Sequence, residues 1–400
     1  MRDLNVMALL LAVWLLAPLA PTPASGALGA QDTTGAAAKG AKQNGGKKKG
    51  GGDAAPAPKS KEALRAKAVK DSINAVRQPL FAERAPLPFT LIANFGAISK
   101  NRDSTSKTRY AGTLLVRDAA GAERRIPVQL RTRGHFRLKR STCKFVNLLV
   151  TFPGKGKETD GTPFDGQKSL KLGGHCQDDH RYEQLLRREY LAYRIFSTVT
   201  PRSFQARLAT GTYVDSASGK TIDTRTAMWI ENEDEMAARQ GGRLREFRRA
   251  LFADMDFATL DQMAIFEYLI GNTDWSIYAL HNVRLVVDDS SRVYPIPYDF
   301  DFSGLVNAPY AAPAPQLQIR NVRERLYRGP CRTWDEIAPS LARFTARQAE
   351  ILALPAEIPG LDDREVRDAR EFLGAFFETA ANPGEAKDAF VERCLKKPGA

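Results

Sequence analysis

The motifs Asn272-Thr273-Asp274 and Tyr298-Asp299-Phe300-Asp301-Phe302-Ser303-Gly304 stand at the ends of apolar runs. The first follows a helix-like apolar run, and a short Val/Leu stretch preceded by Asn282 separates the two. A carboxylate at the end of a rigid strand is well placed to bind a divalent cation, because hard cations prefer oxygen ligands. The motifs therefore predict a site for a metal ion and phosphate groups, and phosphoryl transfer is the leading hypothesis for its chemistry.

The chain has 400 residues, of which 43% are hydrophobic, so it is long enough for one large domain or two lobes. Arg2, an apolar run over residues 6–19 and small residues over 24–30 are typical of a secretory signal peptide cleaved near Ala27 or Ala30. The run is shorter than the roughly 20 apolar residues of a membrane span, although an uncleaved anchor is the alternative. We therefore predict a signal peptide over residues 1–30 and a periplasmic or extracellular protein.

Residues 31–60 are rich in Gly, Ala, Lys and Pro and contain no aromatic residue, which predicts a disordered basic linker. Over residues 31–59, six lysines and two aspartates contribute +4 to a formal net charge of +13. This charge favours anionic partners, and we predict that the linker contacts an envelope polymer. The other predicted partner is a protein substrate. We predict no nucleic-acid partner, no transmembrane span after signal removal, and a monomer.

The cysteines are even in number and contain no CxxC pair: Cys143, Cys176, Cys331 and Cys394. This usage favours disulfides in an oxidising compartment. Their spacing suggests the pairs Cys143–Cys176 and Cys331–Cys394, although four cysteines allow three pairings. A zinc site formed by Cys143, His175, Cys176 and His180 is the alternative interpretation.

Strand and helix signals divide the rest of the chain. Alternating apolar residues and turn signals predict strands over residues 89–95, 110–116, 124–130, 145–152, 169–172, 204–214 and 221–229. Helical spacing predicts one helix among them, over 181–197, and later helices over 233–239, 256–270, 331–354, 362–380 and 385–395. We expect an α+β protein with a mostly antiparallel, β-rich N-terminal lobe over 61–230 and an α-rich C-terminal lobe over 231–400.

Several motifs in the same order resemble the spore coat protein H (CotH) kinase family, an atypical branch of the protein-kinase-like fold. The resemblance covers about residues 131–310. Its pieces are the segments 131–137, 168–172, 186–193, 207–213, 229–232, 272–274 and 298–301. It implies a two-lobed, atypical protein-kinase-like fold, with ATP and Mg²⁺ or Mn²⁺ as cofactors.

The resemblance also implies roles for the acidic motifs. Asp299 matches the family's metal-binding acid and stands where the DFG aspartate stands in ordinary kinases, with Asp301 in place of the glycine. Asp274 occupies the catalytic-loop position, where a carboxylate accepts the proton of the attacking hydroxyl or orients it. Asn282 would be the amide ligand of a second metal ion, although it follows Asp274 by eight residues instead of five.

Lys171 and Glu189 match the kinase ion pair between a strand lysine and a helix glutamate. Lys168 is the alternative phosphate-binding lysine. No glycine-rich phosphate loop is present, so Arg133, with Arg131 and Arg137, is expected to meet phosphate instead.

The connector over residues 229–232 matches the kinase hinge, which makes Glu231 and Asn232 candidates for contact with the nucleotide. We predict that the four histidines, which follow no recognised ligand spacing, are structural.

The function predicted by the resemblance is an exported, ATP-dependent protein kinase that transfers the γ-phosphate to Ser or Thr hydroxyls. A non-catalytic kinase-like surface scaffold is one alternative, because the glycine loop is absent and ATP is scarce outside the cytoplasm. Transfer of AMP in place of phosphate is another, because both reactions use the same metal ion and cleft.

Overall fold

A computed structural model describes residues 78–396, except for the side chains of residues 155–157. All the described residues belong to one compact unit. The predicted signal peptide (1–30), the predicted linker (31–60) and a helix predicted over 59–76 lie outside the described residues. The predicted lobe boundary at residue 230 falls inside the compact unit.

Seven strands form a closed barrel. They are β1 (Leu87–Ala93), β2 (Tyr110–Arg117), β3 (Glu123–Thr132), β4 (Leu148–Thr151), β5 (Ser169–Gly173), β6 (Ala206–Asp215) and β7 (Thr221–Ile230). Their order around the barrel is β1-β2-β3-β4-β5-β7-β6. Six neighbouring pairs are antiparallel, and the barrel closes where β1 runs parallel to β6, with Leu87 opposite Ala209.

The predicted two-lobed kinase-like fold is therefore wrong. The sequence predicted that the N-terminal lobe is a mostly antiparallel sheet. The seven strands instead close into a mixed barrel, and helices form the C-terminal part. Local alternation of apolar residues shows where strands lie and which face is buried. It does not show that β1 pairs with β6, more than a hundred residues further along the chain.

Eight α-helices are described outside the barrel strands: α1 (Phe95–Lys100), α2 (His180–Val199), α3 (Glu233–Arg239), α4 (Phe257–Leu269), α5 (Trp334–Thr345), α6 (Gln348–Glu357), α7 (Asp363–Ala381) and α8 (Pro383–Lys387). A second sheet has the order β10-β9-β8, formed by β8 (Gly242–Leu244), β9 (Val283–Asp288) and β10 (Val293–Pro297). Short 3₁₀ turns lie at Pro79–Phe81, Phe136–Leu138, Gly154–Thr159, Phe252–Asp254 and Pro315–Leu317, and a π-helical turn at Asp388–Glu392.

Two apolar cores stabilise this arrangement. The first fills the barrel, where Phe89 packs on Trp229 with ring centroids 5.2 Å apart. The second joins α2 to the C-terminal helices, for example through Phe196 and Phe266, whose centroids are 4.4 Å apart. Since α2 also packs on β6 and β7, it links the barrel to the helical part.

Local signals predicted several elements well. The prediction of helix 233–239 is confirmed, and Ile126, Val128 and Leu130 alternate into the barrel core as expected. The single helix predicted over 331–354 is wrong, because Arg347 leaves helical geometry and begins the separate helix α6. The helix predicted over 385–395 is instead the short α8 followed by a π-helical turn.

Two local features position the acidic loops. Helix α4 begins where the Asp256 side chain accepts a hydrogen bond from the backbone N–H of Thr259. It is followed by Gly271, whose φ of +65° turns the chain sharply into residues 272–274. The β9–β10 hairpin then carries residues 298–302 back to the same region, since the Tyr298 N–H donates to the backbone oxygen of Asn282 at 3.0 Å.

Candidate active site

A cleft of about 550 Å³ lies between the ends of β3 and β5 and the loops after α4 and β10. Its lining includes seven of the residues singled out from the sequence as site candidates: Arg133, Arg137, Lys171, Asp274, Asn282, Asp299 and Asp301. Candidate phosphate-binding cations and candidate metal-binding oxygens thus share one concave surface. Five further predicted residues are not part of this lining: Arg131, Lys168, Glu189, Glu231 and Asn232.

Asp299 follows β10 and is half-buried in the cleft wall. Its backbone N–H donates to the Tyr193 hydroxyl oxygen at 3.1 Å, which fixes the turn. Its φ is +66°, a conformation that is strained for a residue with a side chain and that often marks a functional position. Within residues 78–396 its carboxylate makes no hydrogen bond and no ion pair, so both oxygens are available to a ligand.

Asn282 and Asp274 form a hydrogen-bonded pair beside it. The Asn282 side-chain N–H₂ donates to the backbone oxygen of Asp274 at 2.8 Å and to its carboxylate at 3.1 Å. This leaves Asn282 Oδ1 accepting no hydrogen bond from the described part of the chain. Like Asp299, Asn282 has a positive φ, +53°. The amide oxygen is therefore a second candidate ligand for a hard cation.

His281 contacts the other carboxylate oxygen of Asp274, with Nε2 to Oδ1 at 3.0 Å. That hydrogen bond raises the pKa of His281 above its ordinary value. The sequence interpretation treated every histidine as structural and missed this cleft residue. Its position directly before Asn282 was the available signal.

Lys171, on β5, does not pair with Glu189, and the predicted Lys171–Glu189 ion pair is wrong. Its ammonium group instead contacts the Glu233 carboxylate at the start of α3, and it lies 4.6 Å from the centre of the Tyr298 ring. Burial is the largest influence on Lys171 and lowers its pKa to about 8. Helix α3 follows β7, and the β5–β7 pairing places the start of α3 next to β5. For this reason Glu233, and not Glu189, contacts Lys171.

Arg284, on β9, completes this cationic wall. Its Nε donates to the second oxygen of Glu233 at 2.8 Å, and its guanidinium lies 4.5 Å from the Tyr298 ring centre. Burial acts to raise the pKa of Glu233, but Lys171 and Arg284 together lower it to about 2. Glu233 thus stays ionised and holds two cations at the cleft.

The predicted partner of Lys171, Glu189, is bound by Arg137 instead. Arg137 Nη2 lies 2.9 Å from Glu189 Oε2 and 2.9 Å from Asp301 Oδ2, while the Tyr310 hydroxyl donates to Asp301 at 3.1 Å. Burial raises the pKa of Glu189 to about 7 and also raises that of Asp301. The carboxylate of Asp301 is therefore occupied by a guanidinium, unlike that of Asp299.

Arg133 follows β3 and is the least engaged cation in the cleft. Its guanidinium makes no hydrogen bond or ion pair with any residue that the structure describes. Its backbone N–H is held by the carbonyl of Asn147 at 3.0 Å, so the segment is anchored while the side chain is available to an anion.

Of the three remaining nucleotide-binding candidates, Glu231 and Asn232 have structural roles. Glu231 is fully buried and accepts two hydrogen bonds of 2.8 Å from Arg239. The Asn232 side chain caps α3 by accepting the Asp234 N–H at 2.8 Å. Lys168 is exposed just before β5. The side chains of Glu231 and Asn232 are thus used for a buried ion pair and for helix capping, and neither they nor Lys168 belong to the cleft lining.

Both predicted disulfides are confirmed, Cys143–Cys176 and Cys331–Cys394. All four cysteines are therefore disulfide-bonded and have no free thiolate, so the alternative zinc site with cysteine ligands is wrong. His180, one of its predicted ligands, lies instead 2.9 Å from the carboxylate of Asp362. Two disulfides fit a periplasmic or extracellular protein.

Across residues 78–396, no helix is both long enough and apolar enough to cross a bilayer.

Comparison with known proteins does not identify the chain. It matches no protein-family model, and no curated protein matches it.

Proposed function

We propose that this protein is an exported, metal-dependent enzyme that transfers the γ-phosphoryl group of ATP to Ser or Thr hydroxyls of proteins. The observation that carries the proposal is the half-buried, unpartnered carboxylate of Asp299 in a cleft that also contains Lys171, Arg133 and Arg284. The proposal depends on this cleft and on the motif resemblance, and it does not require a two-lobed fold.

The donor set suits Mg²⁺ or Mn²⁺. Asp299 offers a carboxylate and Asn282 an amide oxygen, and neither group has a competing partner within the described residues. Such cations bind oxygen ligands and usually keep several waters and substrate phosphates in their shell. When bound, the cation would supply neutralisation of the negative charge on the phosphate oxygens.

The cationic wall would bind the phosphate groups. Arg133 has a free guanidinium suited to bidentate contact with phosphate oxygens. Lys171, with a pKa of about 8, is mostly protonated at neutral pH and would release part of its contact with Glu233 to phosphate. Arg284 holds Glu233 from the other side, so Glu233 keeps a partner when Lys171 moves.

Asp274 is the proposed acceptor of the substrate proton. Its side chain is 39% exposed at the cleft, and His281 and Asn282 each hold one of its oxygens. The substrate hydroxyl oxygen would form a bond to the γ-phosphorus while the bond from that phosphorus to the β–γ bridging oxygen breaks. ADP leaves with that electron pair, and the hydroxyl proton passes to Asp274.

The test is phosphate transfer by the full chain with ATP labelled on the γ-phosphate and Mg²⁺ or Mn²⁺. Asp299→Asn should lower transfer by about 100-fold or more, the order of loss seen when one preorganised electrostatic group is removed. Asp289→Asn is the matched control, because this acid is 93% exposed and makes only a 3.7 Å ion pair with Arg243. Equal transfer by the wild type and Asp299→Asn would refute the proposal.

The same assay separates the alternatives. Incorporation of label from the α-phosphate but not from the γ-phosphate would replace phosphoryl transfer by AMP transfer. If neither label is incorporated and ATP gives no metal-dependent thermal stabilisation, the protein would be a non-catalytic scaffold, and the enzyme proposal would be refuted.

A further inference from the structure

A second group of metal-ligand side chains lies outside the cleft lining, next to the Cys143–Cys176 disulfide. One ring nitrogen of His175 and one carboxylate oxygen each of Asp178 and Asp223 lie within 4.8 Å of one another. His175 and Asp178 follow β5, whereas Asp223 lies on β7, so the group joins two separate parts of the barrel wall.

His175 is buried in an unusual state. Its side chain is 2% exposed, and Nδ1 is shielded from solvent without a hydrogen-bond partner in the described part of the chain. Its ring stacks on Phe145, with centroids 5.0 Å apart. A buried polar atom without a partner is destabilising, so native proteins usually satisfy it with a water or an ion.

Imidazole nitrogen is a common ligand of metal ions in proteins. In the described part of the chain His175 makes no hydrogen bond or ion pair with Asp178 or Asp223, although one of its ring nitrogens lies within 4.8 Å of a carboxylate oxygen of each.

The two carboxylates have cationic partners that are accessible to solvent. Asp178 contacts Lys144 at 2.5 Å, in a pair whose side chains are 55% and 66% exposed. Asp223 contacts Arg225 Nε at 2.7 Å. The Asp178–Lys144 pair is exposed and therefore weak, so a divalent cation can displace it, whereas the Asp223–Arg225 pair is partly buried, with side chains 31% and 24% exposed.

We propose that His175, Asp178 and Asp223 bind a Zn²⁺ ion. One imidazole and two carboxylates match the ligand preference of zinc better than that of Mg²⁺ or Ca²⁺, which take oxygen ligands. Tetrahedral ligands about 2.0–2.2 Å from zinc lie about 3.4 Å apart, so the three ligand atoms would move together from separations of up to 4.8 Å. A water would complete the coordination.

The ion would join the segment after β5 to β7, close to the disulfide that already holds the same segment. Zinc at this site is therefore expected to raise the thermal stability of the folded chain by an amount that grows with the free zinc concentration relative to its Kd.

Zinc binding to the untagged full-length protein, first stripped with a chelator, tests the proposal. Titration calorimetry and metal analysis should give one equivalent of zinc, and His175→Gln should weaken its binding by more than about 100-fold, since loss of outer-shell partners alone costs about 10–100-fold. His180→Gln is the matched control, because His180 is a nearby exposed histidine that contacts Asp362. It should bind zinc like the wild type.

Three further variants keep the test decisive. Asp178→Asn changes an exposed ligand and should also weaken zinc binding if His175→Gln fails to fold. His281→Gln, in the cleft, should leave zinc binding unchanged, as should Asp299→Asn. No zinc bound by the wild type, full binding by folded His175→Gln or Asp178→Asn, or loss of binding only in His281→Gln would each overturn the proposal.

Discussion

Arg137 contacts the buried carboxylates of both Glu189 and Asp301, and no other cation among the described residues contacts either of them. Replacing Arg137 with methionine removes this cation. The side chains involved are 11% exposed for Arg137, 3% for Glu189 and 7% for Asp301. Removing one partner of a buried ion pair costs about 3–5 kcal/mol, because the remaining charge is left uncompensated. We expect Arg137→Met to lower the free energy of unfolding by an amount in that range, measured by urea denaturation at neutral pH.

The loss should depend on pH in a direction set by the carboxylates. Burial already raises the pKa of Glu189 from 4.5 to about 7, and removal of Arg137 takes away the main opposing influence. A carboxyl whose pKa is higher in the folded than in the unfolded state binds its proton more tightly when folded, so stability falls as pH rises between those two values. The gap between Arg137→Met and the wild type should therefore be larger near pH 8 than near pH 5.

Two controls make this prediction sharp. Arg124→Met removes a 40% exposed guanidinium that lies 3.7 Å from Asp118, and it should change stability by no more than about 1 kcal/mol. Adding Glu189→Gln and Asp301→Asn to Arg137→Met removes the uncompensated charges and should restore much of the loss. A pH-independent effect of Arg137→Met below about 1 kcal/mol would refute the reasoning.

Two further predictions concern groups in the cleft. Because the pKa of Lys171 is lowered to about 8, its amine should react with an acylating reagent near pH 8 well before the exposed Lys168. ATP with Mg²⁺ should protect Lys171 from this reaction. Peptide mass spectrometry measures the labelling, and equal labelling of both lysines would contradict the prediction. The hydrogen bond that His281 donates to the Asp274 carboxylate raises the pKa of His281. Its NMR titration midpoint should therefore lie above 6.5 and fall in Asp274→Asn, and an unchanged midpoint would show that this contact does not form in solution.

The sequence predicted local elements better than their assembly. Helix α3 was predicted from helical spacing with its observed bounds, and the structure shows the local reason, an Asn232 N-cap followed by acidic residues. The alternation along β3 likewise predicted its buried face. Closure of the barrel was missed because the parallel β1–β6 contact leaves no local pattern in either strand.

For the candidate site as well, local features could be predicted from the sequence and long-range contacts could not. Asp274, Asn282 and Asp299 could be selected because polar residues at the ends of apolar runs are a local signal, and all three line one cleft. The partner of Lys171 could not be inferred, because Glu233 lies 62 residues away and reaches the lysine only through the barrel. The ion-pair partner predicted from the kinase resemblance, Glu189, lies on α2 and is held by Arg137.

The parallel contact that closes the barrel also constrains the order of folding. As the chain is synthesised, β1 and β2 can pair early, but the other side of β1 has no neighbour until residues 206–215 have emerged. Throughout that interval β1 exposes a row of unpaired backbone groups, which is the arrangement that recruits other extended chains and starts aggregation. The β6–β7 hairpin, which is synthesised later, therefore pairs with the exposed edge of β1. Truncations that end before this hairpin would leave an aggregation-prone intermediate.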